Sequence, residues 1–359
     1  GEGSGSENAV YMETPDNKGI VNFTLEPDGG ITYLTPRLAN ISQSPVTIQV
    51  GYDKEALDKY NKDNGASYEP LPPSAFKLAD AEGNELSASE GIRVPAGDFS
   101  AKIMVKVGQL NSKDFPDSKK YAIPLSITGA SNYSLIPSQR SAILLLNRSI
   151  LSSVAKVSGG EGIRIKPVGM HTKAEWTIQM SAIYSSLTRS NLTTAYLSNG
   201  TGGAFYTRIQ VKNGRDGDDT WTQIPLQAGK WLHITYVHKD KKTTVYVNGK
   251  VQKVFENSAI TFGENSMIVV GNSGYRNDYL REIRLWDKAL TESEINDYLY
   301  LPMDPATPHL ISYLPLSKEM ETKDLKAPAG TENVTTKARI EYVENVKFPA
   351  DELVIVNQE

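Results

Sequence analysis

Thr243-Thr244-Val245-Tyr246-Val247, Asn248-Gly249 and Lys250-Val251-Gln252-Lys253-Val254 follow one another without a break. Little except a β-hairpin fits that order. The first run is β-branched and aromatic, which suits a pleated, half-buried surface. Asn248-Gly249 tolerates the positive φ angles that a two-residue type I′ turn needs. The pairing then sets Tyr246 opposite Val251 and Val245 opposite Gln252. Upstream, Trp231 to Val237 carries large side chains on both faces and reads as a central strand. Downstream, Thr291-Glu292-Ser293-Glu294 has the spacing of a capping box, in which Thr291 caps a helix and Glu294 reaches back. Ile295, Tyr298 and Leu299 supply that short helix with an apolar stripe.

The rest of the chain is read with the same rules. From Val10 to about Asn147, short alternating runs recur at Gly19–Thr24, Ile31–Leu38, Val46–Tyr52, Lys102–Val107, Tyr121–Ile127 and Ser141–Leu146. Turn signals separate them, and such spacing favours a β-sandwich. One helix interrupts, with Asp53 as its cap, Lys54 to Asp63 as its body, Leu57 and Tyr60 facing inward and Gly65 ending it. Asn147-Arg148-Ser149 reads as a hinge. After it, Trp176 to Met180 is an early inner strand, Pro302 to Pro308 a proline-rich crossing, and His309 to Leu314 a returning strand. Ala338 to Val356 holds two further strand-like runs, either completing the second sandwich or packing on the first. Three segments result: a flexible Gly/Ser lead over 1–8, one β-sandwich over 9–148 and another over 149–359. With 359 residues, two domains each have room for a core,.

Composition then removes function classes. No cysteine is present, which excludes disulfides, thiolate metal sites and cysteine nucleophiles. A formal net charge of −4 offers no electrostatic case for nucleic acid or an anionic membrane. No apolar run approaches the roughly 20 residues that span a bilayer, so no transmembrane segment is expected.

Two resemblances follow from particular residues. Trp231-x-His233, Tyr246 to Gly249 and Arg284 to Leu290, in that order, resemble the laminin-G-like, concanavalin A-like jelly-roll family. One departure is that Asp278-Tyr279-Leu280-Arg281-Glu282 stands where many members read Gly-x-Ile-Asp-Glu. An Arg at the Asp position weakens any inherited cation site. The first half is similar to an immunoglobulin-like domain at the front of surface lipoproteins and endo-glycosidases of Gram-negative gut anaerobes. The residues that carry this are Tyr60-Asn61, Tyr68 to Pro72, Pro95 to Ser100 and Tyr121 to Leu125. In that family the domain is a spacer or platform. The resemblances imply an all-β chain, immunoglobulin-like sandwich first and jelly roll second.

Catalysis and metal binding find little in the residues. Glycosidases set two carboxylates about the scissile bond, and on a sandwich strand Glu-x-Asp-x-x-Glu would align them on one face. That triplet is absent, and the closest acidic pair, Asp278 and Glu282, has Arg281 between. His233 and His238 fall on opposite faces of one strand, and His171 and His309 are isolated, so the histidines form no zinc set. Asp216, Asp218 and Asp219 share an acidic, Gly-rich loop that offers oxygens to calcium, with a solvated hairpin tip as the alternative.

Sugar recognition asks for something different. A pyranose presents an apolar C–H face to aromatic rings and hydroxyls to planar hydrogen-bonding groups. Tyr275, Arg276, Asn277 and Asp278 combine these in one loop. Trp221 follows the acidic loop, and Tyr206 flanks a Gly-rich segment. Trp176, Trp231 and Trp286 read as core. With the resemblances, these residues imply a non-catalytic glycan-binding protein that captures oligo- or polysaccharide for a bacterial uptake system. The expected setting is the outer membrane, with a lipid anchor ahead of residue 1 and a glycan transporter as neighbour. An adhesion module that binds protein and a hydrolase with carboxylates from distant strands are the alternatives.

Overall fold

A computed structural model describes residues 8–87, 90–160, 162–168, 174–187, 193–198, 206–211, 226–256, 267–270 and 275–357, with the backbone alone at 193–198, 206–211, 255 and 275. It divides into two compact units, Gly1–Ser149 and Ile150–Glu359.

The first unit is a two-sheet sandwich. One sheet runs in the order Ser134–Leu135, Ala9–Glu13, Gly30–Leu38, Ile103–Val107, Phe76–Ala79. The other runs Ile20–Leu25, Ser141–Arg148, Tyr121–Ala130, Val46–Tyr52, Ile92–Val94, with Glu69–Pro70 added beside Tyr121–Ala130. Alternation does what the period of two requires: Val46, Ile48 and Val50 are buried while Thr47 and Gln49 are less so,. Tyr121–Ala130 departs from this, being buried on both faces through Ile127. The helix Lys54–Asn64 explains it, because Leu57 packs with Ala122, Ile143 and Leu145 on the sheet's outer side. Asp53 Oδ1 accepts from Ala56 N–H at 3.2 Å, and Gly65 closes the helix at φ 59°,. Asn147 and Arg148, read as a hinge from sequence, are in register with Thr24 and Leu25 and belong to the sheet.

The second unit is a larger sandwich. Its eight-stranded sheet runs Lys250–Glu256, Lys242–Val247, Trp231–Lys239, Trp176–Ile183, Tyr275–Trp286, Ile150–Gly159, Arg339–Phe348, with Leu310–Leu314 also paired to Tyr275–Trp286. The five-stranded sheet runs Tyr206–Val211, Thr193–Ser198, Met267–Val270, Ile163–Ile165, Val334–Thr335. Between them lie Trp176, Ile178, Tyr236, Ile268 and Leu285, all fully buried. The chain's end completes this sandwich: Arg339–Phe348 lies antiparallel to Ile150–Gly159, and Val334–Thr335 pairs with Ile163–Ile165.

The outer face of the large sheet is covered too. The helix Glu292–Asp297 has the full capping box at Thr291 and Glu294 and buries Ile295 against Val237, Trp286 and Leu290. Beside it, charged groups are buried in a connected network. The Tyr313 hydroxyl donates to Glu282 Oε1 at 2.8 Å, and Arg284 Nη2 sits 2.7 Å from the same oxygen. Burial, reinforced by the Glu282 charge, pushes the Tyr313 hydroxyl far up,. Arg281 stacks 4.1 Å over the Phe348 ring and donates to Tyr300 O at 2.6 Å. Its place in the fold is to fasten the outer face.

Candidate functional site

At one end of the second unit several strand termini meet. Trp176–Ile183 ends there, Trp231–Lys239 and Tyr275–Trp286 begin there, and the Asn248-Gly249 turn closes there. The registers Ile183 to Trp231 and Ile183 to Tyr279 place them side by side. Gly229 N–H donates to Tyr184 O at 2.9 Å, and Asn248 N–H to His233 O at 2.8 Å.

A cavity of about 560 Å³ opens on this rim. Its apolar floor is Leu226, Leu232 and Val247, all part of the inter-sheet core. Its polar lining is Gln227, Asn248, Gln252, Lys230, Lys250 and Asp351, and Trp231, 2% exposed, borders it.

Local chemistry built each piece. Asn248 at φ 53° and Gly249 at φ 77° form the predicted turn,. Asn248 Oδ1 also accepts from His233 N–H at 2.9 Å, which fixes the side chain against the neighbouring strand. Tyr246 faces Val251 as expected, but Val245 faces Lys253, not Gln252. The cause is a β-bulge: Gln252 is the extra residue, and bulges re-aim side chains. Gln252 is accordingly 8% exposed, although Val251 and Val254 are 46% and 50% exposed. The indole of Trp231 packs on Phe348 with ring centres 5.0 Å apart and lies nearly parallel to His233. Its Nε1–H is buried and has no acceptor among the described residues.

The two strand histidines lie on opposite faces and serve structure. His233 Nδ1 is 2.6 Å from Ser181 Oγ, and burial, with Arg281 and Arg284 nearby, pushes its pKa down to about 3. His238 stacks on Trp176 and meets Thr243 Oγ1 at 2.9 Å; burial lowers its pKa as well. Among the described residues no three His, Asp or Glu are grouped to hold a metal ion.

The sequence-predicted binding loop falls on the same rim. Arg276 and Asn277 are exposed there. Asn277 is the unpaired residue of a second bulge, at φ 59°, a conformation Asn tolerates better than most residues,. Asp278 needs correcting. It is fully buried, its Oδ1 accepts from Ser185 N–H at 2.9 Å and its Oδ2 from Arg276 N–H at 3.3 Å. The Ser185 hydroxyl in turn donates to Arg276 O. Asp278 therefore ties two rim loops together and presents no carboxylate to a ligand. Trp221, Asp216, Asp218 and Asp219 lie outside the described residues, as do the side chains of Tyr275 and Tyr206.

Sequence reasoning missed the cavity because its walls come from three distant segments, 226–232, 247–252 and 351. Asn248 was legible only as a turn residue and Gln252 only as a strand residue. No periodicity signals a bulge.

Residues 170–296 match the profile of the concanavalin A-like lectin/glucanases superfamily, and residues 6–134 match the profile of an N-terminal domain family. Among curated proteins nothing matches. Among solved structures, a candidate carbohydrate binding protein from Bacteroides ovatus aligns over 97% of this chain and 100% of its own, at 21% identity and a TM-score of 0.60. EndoBT-3987 of Bacteroides thetaiotamicron, solved with a Man5GlcNAc product, aligns over 38% of this chain and 31% of its own at 20% identity and a TM-score of 0.27. A SAP-like pentraxin of Limulus polyphemus covers 54% and 94% at 14% identity and a TM-score of 0.33. The first alignment fixes the two-unit, all-β fold; the other two are too loose to bear on this chain.

Proposed function

With a concanavalin A-like lectin/glucanase-superfamily domain in the second unit as premise, we propose that this chain is a carbohydrate-binding protein that captures oligo- or polysaccharide at the rim and leaves it uncleaved. The observation that carries the reading is the rim cavity, which sets an apolar floor beside three side-chain amides. Sugars need that combination, since one pyranose face is C–H and its edge is hydroxyl. Arg276 and Asn277 extend the polar surface along the same rim. Hydrolysis would need two opposed carboxylates. Asp351 is the one carboxylate among the described residues of the cavity wall, and Glu282 is committed to Tyr313 and Arg284.

The biological setting is part of the same proposal. The first unit acts as a spacer, and a lipid anchor ahead of residue 1 holds the chain on the bacterial outer membrane beside a glycan transporter. Many weak sites on one surface would bind a polymer strongly through effective concentration. Trp221 and Tyr275 are the candidate stacking rings.

The test is a panel of plant, host and fungal glycans run in affinity gels with the intact chain, each incubated for hours and assayed for new reducing ends. Retardation without product supports capture. Product release makes the chain a hydrolase, and retardation by no glycan favours a protein-binding module. Surface labelling of whole cells, with and without protease, tests the location. Unaltered affinity in both Trp221→Ala and Tyr275→Ala removes those residues from the site.

A further inference from the structure

We infer that the first unit, beyond its role as a spacer, carries a separate surface for an anionic polysaccharide, one whose pyranose rings bear carboxylate or sulfate. The surface is the outer face of the sheet that runs Ser134–Leu135, Ala9–Glu13, Gly30–Leu38, Ile103–Val107, Phe76–Ala79. The helix Lys54–Asn64 covers the outer side of the opposite sheet, whereas here Ile31 and Tyr33 are 50% and 46% exposed. Register lays the face out in rows. Ile31, Lys106 and Lys77 are cross-strand neighbours, and Tyr33, Met104 and Ala79 form the next row on the same face. Lys102 stands beside them, its Nζ 5.9 Å from the centre of the Tyr33 ring.

Fold stability does not account for this arrangement. Lys77 and Lys106 sit directly opposite each other on adjacent strands, and like charges so placed repel. Neither of them, nor Lys102, has a carboxylate partner among the described residues, in a chain whose formal net charge is −4. Arg37, by contrast, is paired with Glu13 at 3.3 Å. A lysine on an edge strand guards against unwanted strand pairing, which covers Lys77 but not Lys106 on the interior strand beside it. An anion placed between the two lysines turns their repulsion into attraction. The apolar part of the face then selects the kind of anion. Tyr33, Ile31 and Met104 offer a ring and aliphatic surface to the C–H face of a pyranose. Lys102 and Lys106, four positions apart and so about 13 Å along an extended chain, can meet acid groups on different sugars of one oligomer. This mixture favours a saccharide over an acidic peptide, because a stacked acidic pyranose brings an apolar face and an anion in a single unit. Lysine is a flexible point charge, so carboxylate and sulfate are both accepted.

The test is calorimetric titration of the intact chain with oligogalacturonides, their carboxyl-reduced neutral counterparts, sulfated galactan oligosaccharides and polyglutamate. The inference expects the uronates or the sulfated galactans to bind about 10-fold tighter or better than the neutral compounds, the sum of two or three exposed ion pairs. That binding should weaken as salt rises from about 50 to 500 mM. Lys102→Glu together with Lys106→Glu should abolish the preference while Tm holds or rises, because the second change replaces a like-charge pair with an opposite one. Tyr33→Ala should weaken anionic glycan binding about 3-fold or more. Should the double variant not fold, Lys106→Gln alone and Tyr33→Ala decide. Neutral glycans retained at the rim should bind the double variant as they bind the unaltered chain, which separates the two surfaces. Anionic glycan binding that survives the lysine changes overturns the inference. Polyglutamate that binds as tightly as the uronates, indifferent to Tyr33→Ala, overturns it in favour of an acidic protein partner. Binding of no anionic glycan overturns it and leaves the rim reading standing, and binding of no glycan at all, neutral or anionic, overturns both.

Discussion

Replacing Asp278 with alanine removes the acceptor that ties the 184–187 loop to the start of Tyr275–Trp286. Two backbone donors lose it, Ser185 N–H at 2.9 Å and Arg276 N–H at 3.3 Å. A hydrogen bond to a charged acceptor contributes ~1.5–3 kcal/mol, and a donor that can turn to water recovers part of that. Ser185 and Arg276 are both exposed residues, so the net loss should be near 2 kcal/mol rather than the sum of two full bonds. For a unit of this size, about 2–4 °C of Tm accompanies each kcal/mol, which predicts a drop of roughly 4–8 °C. Differential scanning calorimetry of the whole chain reads the shift, and hydrogen exchange reads its place: the Ser185 and Arg276 amides should exchange faster while Ile178 and Tyr236 do not. Asp278→Asn keeps one acceptor and should fall in between. A Tm change under about 1 °C, with exchange at Ser185 unaltered, would refute the fastening role.

The other predictions concern the same unit. Tyr313→Phe deletes the donor to Glu282 and leaves Met303 N–H, now bonded to the hydroxyl at 2.9 Å, without an acceptor; urea unfolding should show a loss of about 3 kcal/mol. Gly249→Ala places a Cβ against the Asn296 side-chain amide at a positive φ, and should cost about 1–3 kcal/mol with disturbance confined to the hairpin and the helix Glu292–Asp297. His233 is held neutral in the folded state with a pKa of about 3, so the unfolded chain binds the extra proton between roughly pH 6.5 and 3. Its contribution is complete above pH 6.5 and is lost as pH falls through that window; His238, also lowered, adds in the same direction. Denaturant titrations from pH 8 to 4 should therefore show a steeper acid loss in the native chain than in His233→Gln.

Local rules carried much of the fold. The capping box at Thr291, the Asp53 cap, the Asn248-Gly249 turn and the three core tryptophans all depend on residues adjacent in sequence or one strand spacing apart, and all are as expected. What escaped depends on register and on distant segments. A bulge leaves no mark in the alternation of Val251 to Val254, so Gln252 was assigned the wrong neighbour. Asp278 looked like a loop carboxylate because its donor, Ser185, lies on another strand's end. The final strand Arg339–Phe348 has half-exposed, alternating burial, a pattern equally compatible with either unit until its pairing to Ile150–Gly159 is known.

The rim cavity is the centre of the account, and the side-chain amides that line it are its natural reporters. In a transverse-relaxation-optimised NMR titration of the labelled chain with any neutral oligosaccharide retained in the glycan panel, the Gln252 side-chain amide signals, assigned through Gln252→Leu, should shift and saturate with the binding isotherm, with those of Gln227 moving in step. Saturable glycan binding that leaves both sets of signals in place would put the site elsewhere and contradict the account.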